Sequence, residues 1–253
     1  MWPYPQVLAH RGGGALAPEN TIAALRCGLA HGYRAVEFDV MLAGDGIPVV
    51  LHDPELGRTV AGRGKVPDFA AAALLRMDAG AWFGPAFAGE TVPGYADVFR
   101  FCLEHGIWMN VEIKPAPGHE AATGRTVAAL TAQWLGECGA AAALAGGWQA
   151  PLLSSFSFDA LLAARDAAPG VARALLVDVI PPDWQAQLAQ VGAVALHTNH
   201  KNLTPALAAA VRAAGYGLFC YTVNEPARAR EIRAWGVEAF CTDRIDLIGA
   251  DFY

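Results

Sequence analysis

His10 and Arg11 stand directly after the apolar run Val7-Leu8-Ala9 and before Gly12-Gly13-Gly14, so an imidazole, a guanidinium and a flexible turn meet at one strand end. Such an end is suited to bringing a phosphate against a cation and backbone N–H groups together. Further polar clusters end or follow similar short runs: Glu37-Phe38-Asp39, His52-Asp53 and Glu112-Ile113-Lys114. Residues two apart in a strand share a face. Glu37 and Asp39 are therefore expected to project together, with Val36, Phe38 and Val40 turned the other way. Asn110, Glu112 and Lys114 form the same kind of set, with Val111 and Ile113 packing outwards.

Glu37, Asp39 and Glu112 crowded in one low-dielectric place repel each other unless a cation joins them. A donor set of oxygens without thiolate suits a hard divalent ion, Mg²⁺ or Ca²⁺, better than zinc. The simpler alternative is a salt-bridge network in which Arg11 and Lys114 neutralise the carboxylates. That alternative competes well for one carboxylate and poorly for the whole set at these spacings.

His10 and His52 are the natural acid–base pair, because an imidazole titrates near neutrality. His31 and His105 each precede a glycine at an expected helix end, where capping suffices as a role. His197 and His200 follow the sixth expected strand and are candidates for lining a site mouth. Ser154 and Ser155 lack the G-x-S-x-G setting of a serine nucleophile. Within Thr242-Asp243-Arg244, Asp243 and Arg244 are read as structural, while Tyr221 and Asn224 admit either contact with substrate or loop packing.

These residues need a scaffold that gathers strand ends. Strands are expected at 7–10, 35–40, 108–113, 152–155, 173–177, 194–197, 217–223 and 239–242, with helix-period segments such as 20–31, 121–138 and 204–214 between them. Alternation along the whole chain predicts a parallel sheet. About eight strands favour a closed (β/α)₈ barrel, which keeps its chemistry at the carboxyl ends of the strands. The open doubly wound sheet is the rival, but contiguous Gly12-Gly13-Gly14 is not a G-x-G-x-x-G fingerprint. Residues 43–96 break the alternation and read as a hairpin off the second strand plus an insertion over one barrel end. No linker or repeat is visible, so residues 1–253 are expected to form a single domain.

The composition fits an ordered domain, with 54% hydrophobic and 17% charged residues. A net charge of −6 argues against a nucleic-acid surface and confines any anion site to a local pocket. Five scattered cysteines without a C-x-x-C pair read as small buried residues in a reducing compartment. With no basic n-region, no apolar h-region and no bilayer-length run, a cytoplasmic protein without stable membrane association is expected.

Taken in order, His10-Arg11-Gly12, Pro18-Glu19-Asn20-Thr21, Glu37-x-Asp39-Val40, Leu51-His52-Asp53, Glu112-Ile113-Lys114, Ser155-Phe156, Tyr221-Thr222-Val223-Asn224 and Thr242-Asp243 resemble the glycerophosphodiester phosphodiesterases, particularly their cytosolic bacterial form. Asp78-Ala79-Gly80-Ala81-Trp82-Phe83 resembles the insertion that covers the site mouth in that family, and the similarity runs from about Trp2 to Phe252. The resemblance implies a (β/α)₈ barrel with a divalent cation on Glu37, Asp39 and Glu112, and His10 and His52 as acid and base. It also implies a small-molecule substrate such as glycerophosphocholine or glycerophosphoethanolamine, split into sn-glycerol 3-phosphate and an alcohol. Arg11 and Lys114 would then neutralise the phosphoryl oxygens. The alternatives are a lysophospholipase D-like lipid phosphodiesterase of the same fold and a non-catalytic barrel that binds phosphorylated ligands. No amphipathic anchor supports the first, and binding alone needs no acid–base couple.

Overall fold

The computed structural model describes residues 2–144 and 149–252, with the side chains of residues 138–144 outside the description; Cys138 therefore lies outside it. The first strand, β1 (Val7–Ala9), leads through the glycine turn to α1 (Ile22–Ala30) and β2 (Ala35–Leu42). β3 (Pro48–Val50), the short α2 (Ala71–Leu74) and α3 (Tyr95–Glu104) precede β4 (Trp108–Ile113) and the long α4 (Glu120–Leu144). The alternation then becomes regular: β5 (Leu152–Ser155), α5 (Phe158–Ala167), β6 (Arg173–Val177), α6 (Trp184–Val191) and β7 (Ala195–Asn199). It ends with α7 (Pro205–Ala213), β8 (Gly217–Tyr221), α8 (Pro226–Ala234) and β9 (Ala239–Thr242).

The sheet runs β1-β9-β8-β7-β6-β5-β4-β2, and a β1–β2 pairing at Ala9 and Val36 closes it into a ring. Every pairing around that ring is parallel, so this is the expected (β/α)₈ barrel. The remaining strand, β3, lies antiparallel on β2 with Val40 opposite Val50 and Leu42 opposite Pro48. It is the expected hairpin arm.

Both faces of a barrel strand are covered, which is why all eight residues of β2 are buried. Val36, Phe38, Val40, Val111 and Ile113 pack in the layer between strands and helices. Alternate residues, among them Leu8, Ala35, Trp108, Phe219 and Cys241, form a second cluster inside the ring, which Trp2 and Tyr4 pack against. The helices begin at hydroxyl caps where the sequence offers them. Thr21, Ser157 and Thr204 accept the backbone N–H groups of Ala24, Ala160 and Leu207. His31 and His105 occupy helix C-caps, in keeping with their capping role.

The insertion builds a small core of its own from Met41, Val49, Leu51, Val60, Val66, Leu74 and Val92. Glu90 pins it to the barrel by accepting the Ala23 N–H at the first turn of α1 (2.9 Å). Among the described residues, no helix is long and apolar enough to cross a membrane.

Candidate active site

The parallel register of β2 and β4 sets Glu37 beside Asn110 and Asp39 beside Glu112. All three carboxylates are buried, and each offers an oxygen within 4.8 Å of the others. Lys114 Nζ donates to Glu112 Oε1 at 2.8 Å and lies 3.4 Å from Asp39 Oδ1. Arg11 Nε stands 3.5 Å from Asp39 Oδ2, an ion-pair distance too long for a good hydrogen bond. Asn20 completes the cage of Asp39, its Nδ2 donating to Oδ2 (2.8 Å) and its Oδ1 accepting the Asp39 backbone N–H (3.2 Å).

The salt-bridge alternative is thus partly realised, yet it leaves the cluster short of positive charge. Both cations lean on Asp39, whose pKa falls despite burial because Lys114 and Arg11 are so near. The cost appears on its neighbours: burial and the Asp39 charge push Glu37 up to about 7 and Glu112 up to about 8. Glu37 Oε1 and Asn110 Oδ1 are buried with no hydrogen-bond partner. Converging hard oxygens, one of them orphaned, in a place with surplus negative charge fit a divalent cation.

Each candidate histidine has a carboxylate on its Nδ1. His10 Nδ1 meets Asp243 Oδ1 at 2.6 Å, and His52 Nδ1 meets Asp53 Oδ1 at 2.7 Å. A carboxylate partner holds the proton on Nδ1 and leaves Nε2 free for proton exchange. His10 Nε2 lies 3.7 Å from Glu37 Oε2, so it faces the carboxylate cluster. The two rings feel opposite fields. Burial lowers the His10 pKa, but Asp243 and Glu37 outweigh it and the net shift is upward. Burial also lowers His52, and Arg11 and Lys114 add to that against Asp39 and Asp53, for a net downward shift. Both rings line a cavity of about 280 Å³ together with Arg11, Lys114, Phe156 and Tyr221.

Pro18-Glu19-Asn20-Thr21 braces this wall. Glu19 Oε1 accepts from Arg11 Nη1 at 2.6 Å, and the Asn20 N–H donates to the Arg11 carbonyl at 3.0 Å. The glycine turn departs from its expected use as a phosphate cradle. The N–H groups of Arg11, Gly12 and Gly14 are spent on Glu37, Ala9 and His10. Gly14 instead permits a close approach, since a Cβ there would sit 2.2 Å from the Asp243 carbonyl oxygen, at a φ of +54°. The turn therefore packs the first and last strand ends together.

That packing explains what the sequence reading missed. Asp243, read as structural, is the partner of His10, and it is itself held by Asn224, whose Nδ2 donates to Asp243 Oδ2 at 2.9 Å. Only barrel closure makes them neighbours, by setting β9 beside β1 with Ala9 opposite Thr242. The available signal was that closing the ring places the last strand against the first. Arg244 does have the expected structural role, paired with Asp246. Asp243→Asn should lower kcat on the order of 10–100-fold, as loss of a histidine-orienting carboxylate does elsewhere, with little change in KM. Unaltered kcat in that variant would show His10 needs no such partner.

His197 does not line the mouth. It lies inside the ring, stacked on Phe219 with centroids 4.4 Å apart, and both ring nitrogens lack partners. Burial alone drives its pKa down to about 3. His200 is held by Arg228, Nε to Nδ1 at 3.2 Å. Ser155 is tied to the Ile113 carbonyl, and Tyr221 caps the Val177 carbonyl while its ring meets the edge of Phe156.

Residues 10–247 match the glycerophosphoryl diester phosphodiesterase family. The chain belongs to that family. A glycerophosphodiester phosphodiesterase of Caldanaerobacter subterraneus is 31% identical over 94% of this chain and 93% of its own. Among solved structures, an Oleispira antarctica phosphodiesterase in complex with the product sn-glycerol-3-phosphate superimposes with a TM-score of 0.84 at 34% identity, over 94% of this chain and 93% of that one. A glycerophosphodiester phosphodiesterase from Agrobacterium tumefaciens gives a TM-score of 0.76 at 27% identity, over 96% and 98% of the two chains. The barrel gathers the carboxylates Glu37 and Glu112, the cations Arg11 and Lys114 and the rings of His10 and His52 around one cavity.

Proposed function

We propose that this glycerophosphodiester phosphodiesterase carries out metal-dependent hydrolysis of glycerophosphodiesters, glycerophosphocholine and glycerophosphoethanolamine among them, to sn-glycerol 3-phosphate and an alcohol. The observation that carries the reading is the pair of Nδ1-anchored histidines on one cavity with the convergent carboxylates and the cations Arg11 and Lys114. The product complex of the Oleispira relative supports the substrate class.

Glu37, Asp39 and Glu112 would hold the divalent cation, Mg²⁺ or Ca²⁺, which when bound would supply Lewis-acid polarisation of the phosphoryl group. Arg11 and Lys114 sit on the cavity wall and neutralise the charge that builds on those oxygens in the transition state. One histidine Nε2 takes the proton of the attacking hydroxyl and the other gives a proton to the departing alkoxide. The attacking group is a water, or it is the substrate's own 2-hydroxyl, which expels the alcohol to leave a cyclic phosphate that a water then opens to sn-glycerol 3-phosphate. A diester lacking the 2-hydroxyl separates these routes, because unchanged turnover excludes the cyclic phosphate.

The reading is tested by a coupled assay for sn-glycerol 3-phosphate across several soluble diesters and a micellar lysolipid. Soluble diesters are expected to be turned over fastest. Faster release from the lysolipid would move the enzyme to the lipid-directed class, and release from none, despite measurable binding, would make the barrel a binding protein.

A further inference from the structure

We propose that Arg58, on the insertion, is a positioning residue that ties together the supports of His52 and Arg11 by gripping Asp53 and Glu19 at once. This rests on the phosphodiesterase reading of the site and adds a residue to it. Arg58 Nε donates to Asp53 Oδ2 at 2.5 Å, while the other oxygen of that carboxylate holds His52 Nδ1. Its two terminal nitrogens donate to the two oxygens of Glu19, each at 2.7 Å, in a fork-to-fork pair. Glu19 Oε1 is in turn the acceptor for Arg11 Nη1 at 2.6 Å. One planar guanidinium therefore bridges the supports of two cavity-lining residues, that of Arg11 on the barrel through Glu19 and that of His52 on the insertion through Asp53.

The backbone under Arg58 is built to hold this pose. Val60 and Val66 are buried in the insertion core, the Gly57 N–H donates to the Val60 carbonyl at 2.8 Å, and Leu56 and Val66 are bonded across the loop to Gly64 and Pro54. The Arg58 side chain itself is 46% exposed, whereas Glu19 and Asp53 are 15% and 25% exposed. A half-exposed ion pair contributes little to stability, so holding two functional neighbours is the better account of a guanidinium with all three nitrogens engaged. Lysine cannot replace it, since a single ammonium cannot meet Asp53 Oδ2 and both Glu19 oxygens in one plane.

The test compares wild type, Arg58→Ala and Arg58→Lys by imidazole ¹⁵N spectra, by the affinity for inorganic phosphate and by kcat and KM. In Arg58→Ala the His52 Nδ1–H form is expected to lose population, phosphate to bind several-fold more weakly, and kcat to fall about tenfold, with Tm nearly unchanged. Arg58→Lys should recover only part of each. An unchanged His52 spectrum together with unchanged phosphate affinity overturns the proposal whatever happens to kcat. Because those two readouts require no turnover, they remain decisive if wild type hydrolyses no diester, a result that would overturn the phosphodiesterase reading instead.

Discussion

His52→Ala is expected to lower kcat about 10²–10⁴-fold while moving KM far less, and His10→Ala to do the same. Each ring has one nitrogen committed to a carboxylate and one free to exchange a proton. Removing either ring takes away a group that acts on the transition state rather than on ground-state binding. The loss will not come from unfolding, because the two side chains are 17% and 26% exposed and sit in polar surroundings at the mouth. The double variant should be scarcely worse than either single one, since acid and base act as a unit. Steady-state kinetics on glycerophosphoethanolamine with Tm measured alongside checks this, and full activity in either variant would remove the acid–base assignment.

Chelation has the other large effect. Turnover should disappear with EDTA and return with Mg²⁺ or Ca²⁺, and Glu37→Gln or Glu112→Gln should weaken the response to metal by at least about 10–100-fold. The same site predicts a pH signature in the metal-free protein. Glu37 and Glu112 have folded pKa values near 7 and 8, above the ordinary carboxylate range, so the folded state binds more protons than the unfolded one. Their contribution is favourable while they are protonated and is lost as pH rises from about 4.5 toward 8. The metal-free Tm should fall across that window relative to that of a Glu37→Gln/Glu112→Gln double variant, in which these two groups no longer titrate while His52 and His197, depressed by burial, contribute equally to both proteins. Saturating divalent cation should raise Tm and flatten the fall, a ligand at 100 times its Kd adding about 2.7 kcal/mol. Thermal melts of both proteins from pH 5 to 8 with and without metal check both signs, and a wild-type metal-free Tm that does not fall relative to the double variant would contradict the charge surplus.

Much of this site can be read from the chain because its key residues are local in sequence. Glu37 and Asp39, or Glu112 and Lys114, need only the two-residue strand repeat to share a face, and the parallel register of β2 and β4 then brings the sets together. The barrel follows from strand–helix alternation, and the hairpin from its glycine turn. What stays hidden depends on contacts between distant segments. Asp243 reaches His10 only because the ring closes, and Arg58 reaches Glu19 only because the insertion folds over α1. His197 shows the reverse difficulty: a histidine near a strand end looks like a mouth residue until the inward step of the strand buries it against Phe219. The glycine turn likewise matches a phosphate cradle in composition, and only the path of the Asp243 carbonyl shows which backbone it admits.

The central claim is that Glu37, Asp39, Glu112, His10 and His52 form one metal-dependent phosphodiesterase centre. The most direct measurement is ³¹P NMR of glycerophosphoethanolamine incubated with the protein, first in EDTA and then with Mg²⁺ or Ca²⁺ in excess. The diester resonance should persist in EDTA and give way to that of sn-glycerol 3-phosphate once the cation is added. Conversion at the same rate in EDTA, or a persistent diester in the presence of either metal, would contradict it.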